Sequence, residues 1–184
     1  MRPRYHGAYM KRLESERLVL RPFDVDDFDA VHSWATDELV TRYTPWGPNS
    51  DDDTRGFLDR AIEGARDPDL HYSEFAIVER DSGRVVGGCG LSGRRMQFRE
   101  YEIGWTVNRE FWRRGIATEA GQIAIQYAFS ELKAHRLYAT IDAENEPSIG
   151  VARKLEFQEE GYLRRDMLIR GEWRDSRLFA RLEP

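Results

Sequence analysis

Between residues 101 and 141 the apolar spacing changes from two to about 3.6 and back again. Tyr101, Ile103, Trp105 and Val107 alternate with polar neighbours, the pattern of a strand with one buried face. Ala120, Ile123, Ala124, Tyr127 and Ala128 then recur at helical spacing within residues 118–132. Residues 136–141 revert to a short strand. Two strands with one helix between them cannot form a tight hairpin. They lie parallel, and the helix is a right-handed crossover on one face of the sheet. The chain is therefore an α/β protein, and ligands of such sheets sit beyond the carboxyl ends of the parallel strands.

The rest of the chain fits around that unit. Leu18-Val19-Leu20, between Arg17 and Arg21, reads as a first strand. Asp24 opens a helix with a capping-box-like Asp27, and Val25, Phe28, Val31 and Ala35 follow as its apolar stripe. A turn-rich stretch, Tyr43-Thr44-Pro45-Trp46-Gly47-Pro48, precedes a second helix. Ser50 caps it, and Asp51, Asp52 and Asp53 favour its first turn. No nearby His or Cys turns these aspartates into a metal site. Residues 75–78 and 85–91 are strands about the turn Asp81-Ser82-Gly83. Residues 97–107 make a third, with Phe98, Glu100, Glu102 and Thr106 opposite its apolar face. A short helix over 148–155 leads to strands at 158–164 and 174–180, joined at Arg170-Gly171-Glu172. At 184 residues the chain is about one domain, with residues 1–12 a lead-in and 13–184 the domain.

Composition removes several classes. Hydrophobic residues at 40% and charged residues at 33% are ordinary for a globular protein, and no apolar run approaches the roughly 18 residues of a membrane span. Cys89 is the single cysteine, so no internal disulfide forms. No apolar stretch follows the basic N-terminal residues, which argues against a signal peptide and makes the cytoplasm the expected compartment. The net charge of −5 is uneven: residues 1–21 sum to +4, 22–81 to −11 and 82–184 to +2. Such a chain is a poor nucleic-acid binder. Its acidic segment either attracts a cationic partner or is a solvated helix surface.

Chemistry concentrates in Val107-Asn108-Arg109-Glu110-Phe111-Trp112-Arg113-Arg114-Gly115-Ile116-Ala117-Thr118-Glu119-Ala120, which leaves a strand and enters a helix. The first N–H groups of a helix lack internal partners and form an anion site. Gly115 lets backbone approach a phosphate, and Arg113 and Arg114 add charge. A plain structural turn is the alternative. Neither the Gly-x-Gly-x-x-Gly fingerprint nor a P-loop is present. Asn145-Glu146-Pro147-Ser148 follows the second parallel strand, so Asn145 and Ser148 converge on the same crevice, although helix capping alone would explain them.

These segments resemble the GNAT superfamily of acetyl-CoA-dependent N-acetyltransferases, and within it the Rim-type branch, whose best-known members acetylate protein N-termini. The resemblance runs over residues 13–182. It rests on Leu18-Val19-Leu20-Arg21-Pro22, Tyr101-Glu102-Ile103-Gly104-Trp105, residues 112–120, Asn145-Glu146-Pro147-Ser148 and Lys154-Leu155-Glu156-Phe157. It implies one domain with a mixed, mostly antiparallel twisted sheet, a parallel strand–helix–strand crossover and helices on both faces. It implies that Arg113, Arg114, Gly115, Ile116, Ala117 and Thr118 bind the coenzyme A pyrophosphate. Trp105, Thr106 and Val107 would pair with the pantetheine arm like an added strand, and Asn145 would bond it. Ser148 would protonate the leaving thiolate, and Glu102 would take the amine proton through water. Tyr43 and Trp46 would line the acceptor pocket, and Trp34 either joins them or packs in the core. No metal is implied. Homodimers are common among similar proteins, but nothing in the residues marks one.

The acceptor is a protein N-terminus or a small cationic amine such as a polyamine, amino acid or amino sugar. A narrow pocket behind Trp46 favours the small amine, and an open groove favours a peptide. The rival reading is a non-catalytic acyl-CoA-binding module, which needs neither Glu102 nor Ser148. Three positions depart from the family pattern. Trp112 stands where Gln or Arg is usual. Arg113 replaces a frequent glycine, and so does Glu156. A left-handed Glu156 would cost about 1–2 kcal/mol.

Overall fold

The computed structural model describes residues 10–183. Eight strands form one sheet: β1 (Leu13–Glu14), β2 (Leu18–Pro22), β3 (Tyr72–Glu79), β4 (Val85–Arg95), β5 (Glu100–Val107), β6 (Arg136–Asp142), β7 (Gln158–Ile169) and β8 (Glu172–Leu182). Their order across the sheet is β1-β2-β3-β4-β5-β6-β8-β7. Every neighbouring pair is antiparallel except β5 and β6, which are parallel. The helices are α1 (Phe28–Ala35), α2 (Asp51–Arg66), α3 (Ile116–Ser130) and α4 (Glu146–Lys154), and α3 is the crossover between the parallel strands. This is the architecture that the resemblance implies. Residues 1–9 of the expected lead-in lie outside the described residues, and Met10 is already buried, its N–H bonded to the Ala65 carbonyl at 3.3 Å.

Strand alternation sorts the core into two layers. Phe75 and Ile77 of β3 pack with Leu18, Leu20, Leu91 and Ile103 against α3. Ala76, between them, joins Phe23, Val31, Trp34, Leu58 and Ala61 beneath α1 and α2. Adjacent strand residues point to opposite faces, so one strand serves both layers. Ala120, Ala124 and Ala128 are fully buried on α3. Their small side chains bring the helix axis close to the sheet.

Several boundaries differ from the periodicity. Val25 does not begin α1: residues Val25–Asp27 are a 3-10 turn and Val25 is exposed. Asp24 and Asp27 do cap that turn reciprocally, and Arg21 binds Asp27 with two bonds of 2.7 Å. β5 begins at Glu100, because Met96–Phe98 turn in a 3-10 segment that ends at left-handed Arg99. Phe98 is therefore on no strand face and is exposed. On α3, Ile123 is only partly buried, while Ile116 and Ile125 complete the core stripe. Ser50 and Asp53 form a full capping box at α2, so the aspartates there serve the helix start.

Candidate active site

The β5–β6 ladder holds only three pairs, ending at Glu102 opposite Tyr138. Beyond that point β5 stays with β4 as far as Val107, and β6 stays with β8 as far as Asp142. The facing edges therefore diverge and leave backbone N–H and C=O groups without a strand partner, a template for an added extended chain. A cleft of about 850 Å³ opens there, lined by Gly104, Trp105 and Thr106 on one side and Thr140, Asn145 and Ser148 on the other. Val107 contributes differently. It is buried, and its carbonyl accepts a 2.7 Å bond from Trp112 Nε1. Trp112 thus fastens the loop back onto the end of β5.

At the start of α3, Arg113 and Gly115 both hold left-handed backbone, with φ of 62° and 78°. Gly115 is the N-cap, and no side chain caps the helix. The first-turn N–H groups of Ile116, Ala117 and Thr118 are thus left outward, where the helix dipole favours an anion. Arg113 takes the glycine-like conformation despite its side chain. Arg114 is engaged elsewhere: it lies over the Phe111 ring at 4.9 Å and donates to the Glu110 carbonyl at 3.0 Å. The loop is pinned by Arg17, just before β2, which donates to the Arg114 carbonyl at 3.1 Å and forms an ion pair with Glu119. Burial opposes the Glu119 charge, but hydrogen bonds from Ser15 and Arg17 hold its carboxyl below the usual range. Backbone cradle and unpaired strand edge are what a phosphate-bearing, extended cosubstrate such as acetyl-CoA requires.

Asn145 is the N-cap of α4, and its Oδ1 accepts the Ser148 N–H at 3.2 Å. No hydrogen bond from its Nδ2 is formed among the described residues. Ser148 is half-buried on the cleft wall. The turn carrying both is set by buried Asp142, which accepts two Arg174 bonds of 2.9 and 3.0 Å and the Glu144 N–H at 2.9 Å.

The opposite wall comes from α1, α2 and the loop between them. Tyr43 and Trp46 line it, as does buried Trp34. The β7–β8 turn ties that loop down: Arg170 donates to the carbonyls of Thr41 and Gly47 at 2.7 and 2.9 Å. The floor is one face of the sheet. Glu102 lies on it, held by Arg94 through bonds of 2.8 and 2.5 Å. So does Glu74 of β3, which the sequence reading passed over. Its strand neighbours suggested only a buried strand, yet period-two alternation puts Glu74 on the face of Ala76, and Gly88 and Gly90 lie opposite on β4. Burial pushes the Glu74 carboxyl up to about 7, against the hydrogen bond from Tyr72. Cys89 faces the other layer, where burial drives its thiol upward and leaves it protonated.

Among the described residues no helix is long and apolar enough to cross a membrane. The model of the acetyltransferase (GNAT) domain matches residues 17–158. The uncharacterized N-acetyltransferase p20 of Bacillus licheniformis is 32% identical over 95% of this chain and 97% of its own. The spermidine N(1)-acetyltransferase of Escherichia coli K12 is 30% identical over 86% of this chain and 82% of its own. The Rim-type likeness extends to the [ribosomal protein uS5]-alanine N-acetyltransferase of the same organism, 26% identical over 94% and 91%. A solved GNAT-family acetyltransferase from Bacillus anthracis superposes with a TM-score of 0.84 at 32% identity, covering 94% of this chain and 98% of that one. The chain belongs to the GNAT acetyltransferase family, and it is an acetyl-CoA-dependent N-acetyltransferase.

Proposed function

We propose that the enzyme acetylates the primary amine of a compact cationic acceptor, and that acetyl-CoA lies between the diverging ends of β5 and β6. The observation carrying this reading is the unpaired edge of β5 running from the cleft floor toward the uncapped, left-handed start of α3. In this arrangement the N–H groups of residues 115–118 hold the pyrophosphate and Arg113 supplies charge. Arg114 shapes the loop through Phe111 rather than meeting the phosphate directly. Trp105 and Thr106 extend the sheet onto the pantetheine arm, Asn145 Nδ2 bonds it, and Ser148 gives a proton to the departing sulfur. Val107 closes the edge, its carbonyl already bonded to Trp112.

The reaction needs no covalent enzyme intermediate. A thiolate leaves readily because a thiol pKa is about 8.5. Holding amine and thioester together supplies up to roughly 7–11 kcal/mol of the barrier reduction. A free β5 N–H donating to the acetyl oxygen adds about 3 kcal/mol.

The preference for a compact acceptor rests on the Arg170 tie, which holds the Trp46 loop in place as one wall of the cleft. Asp52 and Glu74, which line the cleft without an ion pair among the described residues, suit a cation. The similarity to a spermidine N(1)-acetyltransferase agrees with this choice. Calorimetry with acetyl-CoA tests the cosubstrate site: micromolar binding that Gly115→Glu abolishes supports it, and absence of binding refutes it. Thiol release with spermidine, free amino acids and an alanine-initiated peptide then tests the acceptor. A peptide turned over faster than every small amine overturns the compact-acceptor reading.

A further inference from the structure

Three strands bring a carboxylate and two glycines into one row across the cleft floor. Glu74 of β3 is in register with Gly90 of β4, and Gly90 with Gly104 of β5. The Glu74 side chain fills the space above Gly90, where any Cβ would overlap its carboxylate. A Cβ at Gly88 would sit 3.5 Å from its Oε1. The carboxylate therefore reaches from its own strand to lie over the next. One strand further, a Cβ at Gly104 would meet nothing within 4 Å. Neighbouring strands are about 4.8 Å apart. A nitrogen above Gly104 thus lies about one strand spacing from the carboxylate and beside the open edge of β5.

We propose that Glu74 is the carboxylate that binds the acceptor ammonium above Gly104 and takes its proton. The inference rests on the acetyltransferase site described above. Glu102, the carboxylate suggested by resemblance, is on the same floor but its charge is matched by Arg94 at 2.5–2.8 Å. No ion pair to Glu74 occurs among the described residues, and Tyr72 is its hydrogen-bonding neighbour. A half-buried carboxylate without an ion-pair partner has an unmet need for a cation, which an ammonium fills.

The step balances. The ammonium R–NH3⁺ gives one proton to the Glu74 carboxylate through one bridging water, which spans the strand spacing between them. The freed nitrogen lone pair forms the N–C bond to the acetyl carbon, and the C–S bond breaks with its electron pair on sulfur. A second proton passes from nitrogen to sulfur through the Ser148 hydroxyl. Amide, thiol and a protonated Glu74 result, and the carboxyl then returns its proton to water.

The groups around Glu74 determine how pH acts on it. Tyr72 beside it is held neutral by burial. Arg60 of α2 and Arg94 of β4 are cationic neighbours of that pair, Asp52 and Asp53 of α2 line the same cleft, and Glu102 carries its arginine. No histidine is among the cleft-lining residues described. With its carboxyl raised to about 7, Glu74 gives activity that rises with pH through neutrality.

The test measures kcat and KM for the amine against pH in Glu74→Gln, Glu102→Gln and the native enzyme, with acetyl-CoA affinity measured separately by calorimetry. The expected result is a loss of about 10²–10⁴-fold in kcat for Glu74→Gln at pH 7, disappearance of the rising limb near neutrality, and an unchanged acetyl-CoA Kd. Glu102→Gln keeps the limb. A second variant, Gly104→Val, fills space that is empty in the structure, and it raises the amine KM. Native-like kcat and an intact limb in Glu74→Gln overturn the proposal. So does a limb lost only in Glu102→Gln. Should Glu74→Gln not fold, an unchanged amine KM in Gly104→Val overturns it as well. Failure of the native protein to bind acetyl-CoA refutes the underlying cosubstrate site, and the proposal falls with it.

Discussion

Glu156 gives the sharpest quantitative test of the physical reasoning. It follows α4 with φ of 62°. The Glu156 N–H bonds to the Arg153 carbonyl and the Phe157 N–H to the Ala152 carbonyl, each at 3.0 Å. This is the reciprocal pair of a Schellman end, whose left-handed position favours glycine. An L side chain there costs about 1–2 kcal/mol. Glycine returns about 0.4–1 kcal/mol of that through the greater freedom of the unfolded chain. Glu156 also pairs with Arg181 at 3.1 Å, but its side chain is 77% exposed, and such pairs are worth about 0–1 kcal/mol. The fair comparison is therefore Glu156→Gly against Glu156→Ala, since both lack the pair. Glycine should win by about 0.5–1 kcal/mol, or about 1–4 °C in Tm for a chain of this size. Thermal unfolding of both variants and Glu156→Gln decides it. An alanine variant as stable as the glycine variant would falsify the assignment of strain to this residue.

Other outcomes follow from the same geometry. Asp142→Ala strips a buried carboxylate from Arg174 and from the turn before α4. It should lose about 3 kcal/mol in urea unfolding, and Arg174→Met in the same chain should restore part of that. Glu100 is buried, and the Arg95 hydrogen bond, aided by Arg136, holds its carboxyl below the usual value of 4.5. Its contribution is present above that value and is lost as pH falls through the depressed one. Glu100→Gln should therefore show a shallower loss of stability below pH 4.5 than the native protein. Arg17→Met frees the Arg114 carbonyl and Glu119. As a half-exposed pair it should cost at most about 1 kcal/mol of stability, yet raise the acetyl-CoA Kd several-fold in calorimetry. Equal Kd values would mean that the loop is rigid without it.

Local chemistry made much of the molecule legible in the sequence. The switch of period between residues 101 and 141 identified the parallel pair and its crossover. Ser50, Asp24 and Asn145 acted as caps because a side-chain oxygen two or three residues before an orphan N–H needs nothing beyond local geometry. Glu156, standing in place of a frequent glycine, pointed to left-handed backbone for the same local reason and adopts it, as Arg113 and Gly115 also do.

Tertiary structure decided what depends on partners far apart in the chain. β5 and β6 separate after Glu102 because each follows a different neighbour, and no period within either strand records where that occurs. Arg94 matches Glu102, Arg170 holds the loop beside Trp46, and Trp112 occupies the Val107 carbonyl. These contacts are set by packing and reach. Glu74 shows the division most clearly. Its alternation with Ala76 was readable, but its place over Gly90, facing the open position above Gly104, exists only once three strands lie in register. A single strand fixes which face a side chain takes. Only the assembled sheet fixes what lies across from it.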